Sequence, residues 1–156
     1  MAIINIGESV PDFVLKDHNG ADFKLSDLQG NRVLLSFHPL AWTNVCAKQM
    51  QSLENNKERF DELNTVAVGV NVDPIPSKKA WANELGIRST RLLSDFWPHG
   101  EVAKMYRIFR NREGFSERAN ILIDEEGKVM FAKKYPIPEL PDIEEIINLL
   151  APLSLS

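Results

Sequence analysis

Two stretches run almost without a break in apolar residues, residues 33–37 (VLLSF) and 65–72 (TVAVGVNV). A strand with one wet face alternates polar and apolar positions, whereas a continuous run marks a strand covered on both faces. Apolar residues at helical spacing follow each run: Met50, Leu53 and Phe60 after the first, Ala80, Trp81 and Leu85 after the second. Strands buried on both sides and alternating with helices require an α/β layered architecture.

The remaining elements fit this frame. Phe13-Val14-Leu15 leads to the turn residues Asp17-His18-Asn19-Gly20, then Phe23 and Leu25, which predicts short strands at the N-terminus. A helix is predicted from about Asn44 to about Leu63. Ser77 is predicted to cap the next helix and Gly86 to end it. Leu92-Leu93 reads as a short strand, and Val102, Met105 and Tyr106 as a short helix after Pro98. Residues 119–123 and 129–132 flank Asp124-Glu125-Glu126-Gly127 and predict a hairpin. Ile143, Ile146, Ile147 and Leu150 mark a terminal helix after Pro141. The expectation is one α/β domain over residues 1–156, with a mixed central sheet flanked by helices and an N-terminal strand or hairpin extension.

A chain of 156 residues is long enough for one real core. A net charge of −4 gives no general attraction to nucleic acid or anionic membranes. Residues 1–7 lack the basic and apolar regions of a signal peptide, and no apolar run approaches a membrane span. The single cysteine rules out an internal disulfide, a CxxC pair and a multi-cysteine zinc site. A lone cysteine also suits a reducing compartment, so the cytoplasm is expected.

That cysteine, Cys46, falls in the first turn of the first long helix, directly after a buried strand and a loop containing Pro39. The first backbone N–H groups of a helix have no intrahelical partner, and with the helix dipole they favour a negative charge. The thiolate is the reactive form of cysteine, so the position suits a nucleophile. With Thr43 as N-cap, its hydroxyl is placed either to accept the Cys46 N–H or to reach a bound substrate; Asn44 is the competing cap. Pro39 stiffens the loop and shields the sulfur. The same N–H groups suit an oxygen departing with charge. On placement alone, a lone cysteine is more often a small buried hydrophobe than a nucleophile.

Pro39-xxx-Thr43-xx-Cys46 resembles the PxxxTxxC motif of the peroxiredoxins, the alkyl hydroperoxide reductase and thiol-specific antioxidant family. Trp42 stands where the family commonly has an aromatic residue, and Gly7-Glu8-Ser9-Val10-Pro11-Asp12-Phe13 is similar to the family's opening segment. Residues 92–98 (LLSDFWP) and 116–124 (SERANILID) look like two further family segments, so the resemblance spans the chain from Gly7 to about Leu150. It implies a thioredoxin-like fold and a thiol-dependent peroxidase without cofactor or metal. Cys46 is then the peroxidatic nucleophile, Thr43 orients the peroxide, Pro39 keeps water away, and Arg118 stabilises the thiolate and the developing charge. Arginine suits that role because it stays charged and offers several donors at once. Leu40, Trp42 and Val45 are expected to form an apolar, substrate-binding mouth suited to alkyl hydroperoxides.

The chain departs from the pattern in two places. Gln49 stands where many relatives carry glutamate, so the arginine's network is expected to differ. No second cysteine exists to resolve a sulfenic acid. An external thiol must then recycle Cys46, whether a low-molecular-weight thiol, a thioredoxin or a glutaredoxin, and excess peroxide should drive it to sulfinic acid.

A peroxide sensor that relays oxidation to a partner protein uses the same site and is the alternative function. A Cys–His hydrolase using His38 or His99 and an inert structural module are further alternatives. Structural roles are favoured for both histidines, and His18, His38 and His99 show no metal-ligand spacing. The basic stretch Lys104, Arg107, Arg110, Arg112 reads as a solvated face with local salt bridges. Phe96-Trp97-Pro98 is placed at a homodimer contact by the resemblance.

Overall fold

The computed structural model describes residues 2–155. Its centre is a seven-stranded mixed sheet in the order β2-β1-β5-β4-β3-β8-β9. The strands are β1 (Val14–Asp17), β2 (Asp22–Lys24), β3 (Arg32–Phe37), β4 (Thr65–Asn71), β5 (Arg91–Ser94), β8 (Arg118–Ile123) and β9 (Val129–Tyr135). β3, β4 and β5 run parallel, and antiparallel pairs β1–β5 and β3–β8 extend the sheet on either side. The helices are α1 (Asn44–Asn55), α2 (Lys57–Glu62), α3 (Ile75–Leu85), α4 (Glu101–Met105) and α5 (Ile143–Leu150). A separate two-stranded hairpin joins β6 (Phe109–Arg110) to β7 (Phe115–Ser116).

The continuous apolar runs are the buried centre of the sheet. Every residue of β3 is buried, and its side chains alternate between two cores. Val33, Leu35 and Phe37 join Val68, Val70, Ile121 and Tyr106 on one face. Leu34 joins Met50, Leu53, Trp81, Ile146 and Leu150 on the other, under α1, α3 and α5. Gly69 lets α1 lie close on β4, because a Cβ there would collide with Met50 Sδ. Among the described residues no helix is long and apolar enough to cross a membrane.

Two expectations need correction. The single helix from Asn44 to Leu63 is two helices, broken at Asn56. The Asn56 amide donates to Ser52 O at 2.7 Å, so a side chain takes the i−4 carbonyl in place of the backbone. Ser77 is not a cap: α3 begins at Ile75 with Pro74 at the N-cap, and Pro76 sits in the first turn where no N–H is needed. The expected N-terminal hairpin is present, with β1 antiparallel to β2, and it extends the sheet by pairing β1 with β5 through Lys16↔Ser94 and Asp17↔Leu93. The predicted end of α3 holds, with Gly86 in the left-handed region at φ 73° and the Ile87 N–H closing onto Ala82 O at 2.9 Å.

Candidate active site

Cys46 is the third residue of α1 and is fully buried. The chain leaves β3 at Phe37, turns through Pro39 to Thr43, and enters α1 at Asn44. Thr43 is the N-cap in extended conformation, and its carbonyl accepts the Ala47 N–H at 2.9 Å. That settles the choice between Thr43 and Asn44. The Thr43 hydroxyl does not accept the Cys46 N–H; it donates to Leu40 O at 2.8 Å, tying the turn across its own mouth. The hydroxyl oxygen keeps its lone pairs for another donor.

Arg118, the first residue of β8, reaches the sulfur from the neighbouring strand. Its Nη1 donates to Cys46 Sγ at 3.3 Å and to Gln49 Oε1 at 2.7 Å, and its Nε donates to Ile137 O at 2.9 Å. Gln49 lies one turn after Cys46 on α1 and is also buried. Its amide nitrogen donates to Ser36 Oγ at 2.7 Å and Phe37 O at 3.1 Å, and Ser36 in turn donates to Asn120 at 2.8 Å. The buried guanidinium is thus oriented by a neutral amide and a backbone carbonyl. No carboxylate competes with the sulfur for its charge among these partners.

A cavity of about 300 Å³ opens over Cys46, lined by Pro39, Leu40, Thr43, Asn44, Val45, Cys46, Phe115, Arg118, Ile137 and Pro138. Pro39, Leu40, Thr43, Val45, Cys46 and Arg118 meet at this cavity. Trp42 is placed elsewhere. It holds φ 68° and turns its indole to α3, where Nε1 donates to Ser77 Oγ at 3.0 Å. Sequence reasoning missed Phe115, Ile137 and Pro138. The first sits on a two-residue strand and the others in the loop before α5, where no periodicity marks them.

Neither histidine pairs with Cys46. His38 is fully buried with Nδ1 at 3.2 Å from Ser36 O and its ring 5.5 Å from Trp81. Burial first, and then Lys78, pushes its pKa well below the ordinary histidine value. His99 Nε2 lies 2.7 Å from Gly114 O. In the basic stretch Arg110 pairs locally with Glu117 at 3.0 Å, whereas Arg107 pairs with the distant N-terminal Glu8 at 2.9 Å.

Residues 6–132 match the model of the AhpC/TSA family. The chain belongs to that family. It is 34% identical over 153 residues to alkyl hydroperoxide reductase E of Mycobacterium tuberculosis, covering 97% of this chain and 99% of that one. It is 31% identical over 155 residues to peroxiredoxin-1 of Gekko japonicus, covering 93% of this chain and 77% of that one. Among solved structures, the reduced 2-Cys peroxiredoxin of Plasmodium vivax superposes with a TM-score of 0.86 at 26% identity, covering 95% of this chain and 81% of that one. The AhpC/TSA chain is accordingly a thiol-dependent peroxidase with a thioredoxin-like fold.

Proposed function

We propose that this protein reduces hydrogen peroxide and organic hydroperoxides at Cys46 by a one-cysteine mechanism. The observation that carries the reading is the Arg118 Nη1–Cys46 Sγ contact at 3.3 Å, at the foot of a cavity that opens on the start of α1. The Arg118 guanidinium and the N–H groups of the first helical turn put positive charge around the sulfur, where the reaction develops negative charge.

The thiolate attacks one peroxide oxygen. The S–O bond forms as the O–O bond breaks, the sulfur gives up two electrons, and the departing alkoxide or hydroxide takes a proton. The Thr43 Oγ lone pairs accept the peroxide O–H. The Nη2 of Arg118, which none of its three hydrogen bonds uses, donates to the developing oxyanion. Pro39 covers the sulfur side of the turn. Leu40, Val45, Phe115, Ile137 and Pro138 give the cavity apolar walls, which suit an organic hydroperoxide better than a small polar one.

Cys46 is the only cysteine in the sequence, so the sulfenic acid has no partner within the chain or in an identical copy. An external thiol condenses with it, releasing water and leaving a mixed disulfide. A second thiol equivalent restores Cys46. The protein works as a homodimer in this reading. Val14, Phe96 and Trp97 are exposed beside one another around a groove with Pro74, Ile75 and Pro76, an apolar surface suited to a second copy.

Sustained peroxide consumption with an added thiol tests the reading. Many turnovers per Cys46, with a sulfenic or mixed-disulfide adduct at that residue by mass spectrometry, are expected. One turnover followed by transfer of oxidation to a partner protein favours the sensor instead.

A further inference from the structure

The loop over Cys46 is held by a buried chain of polar groups that ends on a lysine. Lys78 lies in the first turns of α3 and is completely buried. Its ammonium donates to Asn71 Oδ1, and among the described residues it forms no direct ion pair. Asn71, at the end of β4 and itself buried, donates from Nδ2 to Asp73 Oδ2 at 2.8 Å. The same Asp73 Oδ2 accepts the Ala41 N–H at 2.8 Å. Ala41 is the middle residue of the turn that carries Pro39, Leu40 and Thr43 over the sulfur.

A buried ammonium is costly, and a methionine of similar length would fill the space without that cost. What the lysine adds is orientation. Asn71 Oδ1 accepts from both Lys78 Nζ and the Asp73 N–H, which turns the amide nitrogen towards the Asp73 carboxylate. The positive charge behind Asn71 and the negative charge in front of it polarise the chain in one direction. The turn it holds includes Trp42 at φ 68°, a conformation that a non-glycine residue keeps only when its surroundings impose it. Ser77, the residue before Lys78, supplies the second anchor by accepting the Trp42 indole N–H.

We propose that Lys78 is a positioning residue for the peroxide-binding turn: through Asn71 and Asp73 it fixes the Ala41 N–H, and so sets Pro39 and Thr43 over Cys46. The inference rests on the peroxidase reading for its kinetic consequence, but the restraint on Ala41 exists without it. A lysine needed only for folding would lose stability and rate together when replaced. A positioning lysine gives a variant that folds well and reacts slowly with peroxide.

The test is Lys78→Met with two readouts. Amide exchange at Ala41 in the reduced protein, without peroxide, reports the restraint independently of any activity. The rate of Cys46 oxidation by an alkyl hydroperoxide, normalised to the thiolate fraction found by iodoacetamide alkylation, reports the geometry of the turn. Ala41 exchange is expected to rise at least about tenfold, and the normalised rate to fall about tenfold. Asn71→Ala cuts the chain at its middle link and is expected to do the same, so the test stands if one variant does not fold. A folded variant in which Ala41 exchange and the normalised rate keep their wild-type values overturns the proposal.

Discussion

Arg118 Nη1 sits 3.3 Å from Cys46 Sγ and 2.7 Å from Gln49 Oε1, so one nitrogen serves both the sulfur and the amide that orients it. The third bond, from Nε to Ile137 O, fixes the plane of the guanidinium against the loop before α5. Arg118→Ala removes all three bonds and should slow Cys46 oxidation by about 10²–10³-fold, the usual effect of deleting a charge-stabilising donor. Arg118→Lys should recover little of this, because an ammonium cannot reproduce the fork geometry. Stopped-flow oxidation of the two variants measures both effects.

Gln49 is the second lever. Its amide nitrogen donates to Ser36 Oγ and Phe37 O. Gln49→Glu would point a carboxylate at the Phe37 carbonyl and draw the Arg118 charge away from the sulfur. The variant should be less stable by about 1–3 kcal/mol, the cost of leaving buried polar groups unpaired. Its Cys46 should also alkylate more slowly at neutral pH than wild type. Urea unfolding and iodoacetamide kinetics check the two outcomes.

Lys78 makes stability depend on alkaline pH. Burial pushes its pKa from the ordinary 10.5 down to about 7, against the opposing pull of Asp73, Cys46 and Asp95. Below about 7 both folded and unfolded chains hold the proton, and folding carries the full cost of burying the charge. Between about 7 and 10.5 the unfolded chain binds more protons, so stability rises with pH. The stability gained by Lys78→Met over wild type should therefore be largest below about 7 and shrink towards 10.5. Urea midpoints of the two proteins across that range give the comparison.

Asp95 gives a dependence of the opposite sign at lower pH. Its carboxylate receives the Val102 and Ala103 N–H groups at 3.0 and 2.9 Å, yet burial dominates and pushes its pKa from 3.8 up to about 6. The folded chain then binds more protons than the unfolded one between those values, so this group's contribution to stability falls as pH rises from 3.8 to about 6. Asp95→Asn should remove that slope. The difference between wild-type and variant unfolding free energies, plotted across this window, is the measurement.

The parts legible in the sequence are those with long-range regularity or a fixed motif. Residues 33–37 and 65–72 announced the buried strands because both faces of β3 and β4 are covered. Cys46, Thr43 and Pro39 share an eight-residue stretch and meet at one cavity, and Arg118 enters it from β8. Phe115 and Ile137 were not legible, because one lies on a two-residue strand and the other follows β9 without a periodic pattern. Lys78 was hidden by its chemistry, since a lysine in a helix reads as solvent-exposed. Its spacing to Trp81 and Ala82 on the inner face of α3 was the available signal. The break at Asn56 follows from a side chain competing with the backbone, a local effect that a hydrophobic period does not register.

The central claim, that Cys46 is a peroxidatic nucleophile, is tested most directly by its second-order oxidation rate. Tryptophan fluorescence under stopped flow would follow the reaction with hydrogen peroxide and with an alkyl hydroperoxide, beside Cys46→Ser. The account predicts a rate orders of magnitude above that of a free thiolate, absent in the serine variant and higher for the alkyl hydroperoxide. A rate equal to that of an ordinary free cysteine thiolate would contradict it and leave Cys46 a buried structural thiol.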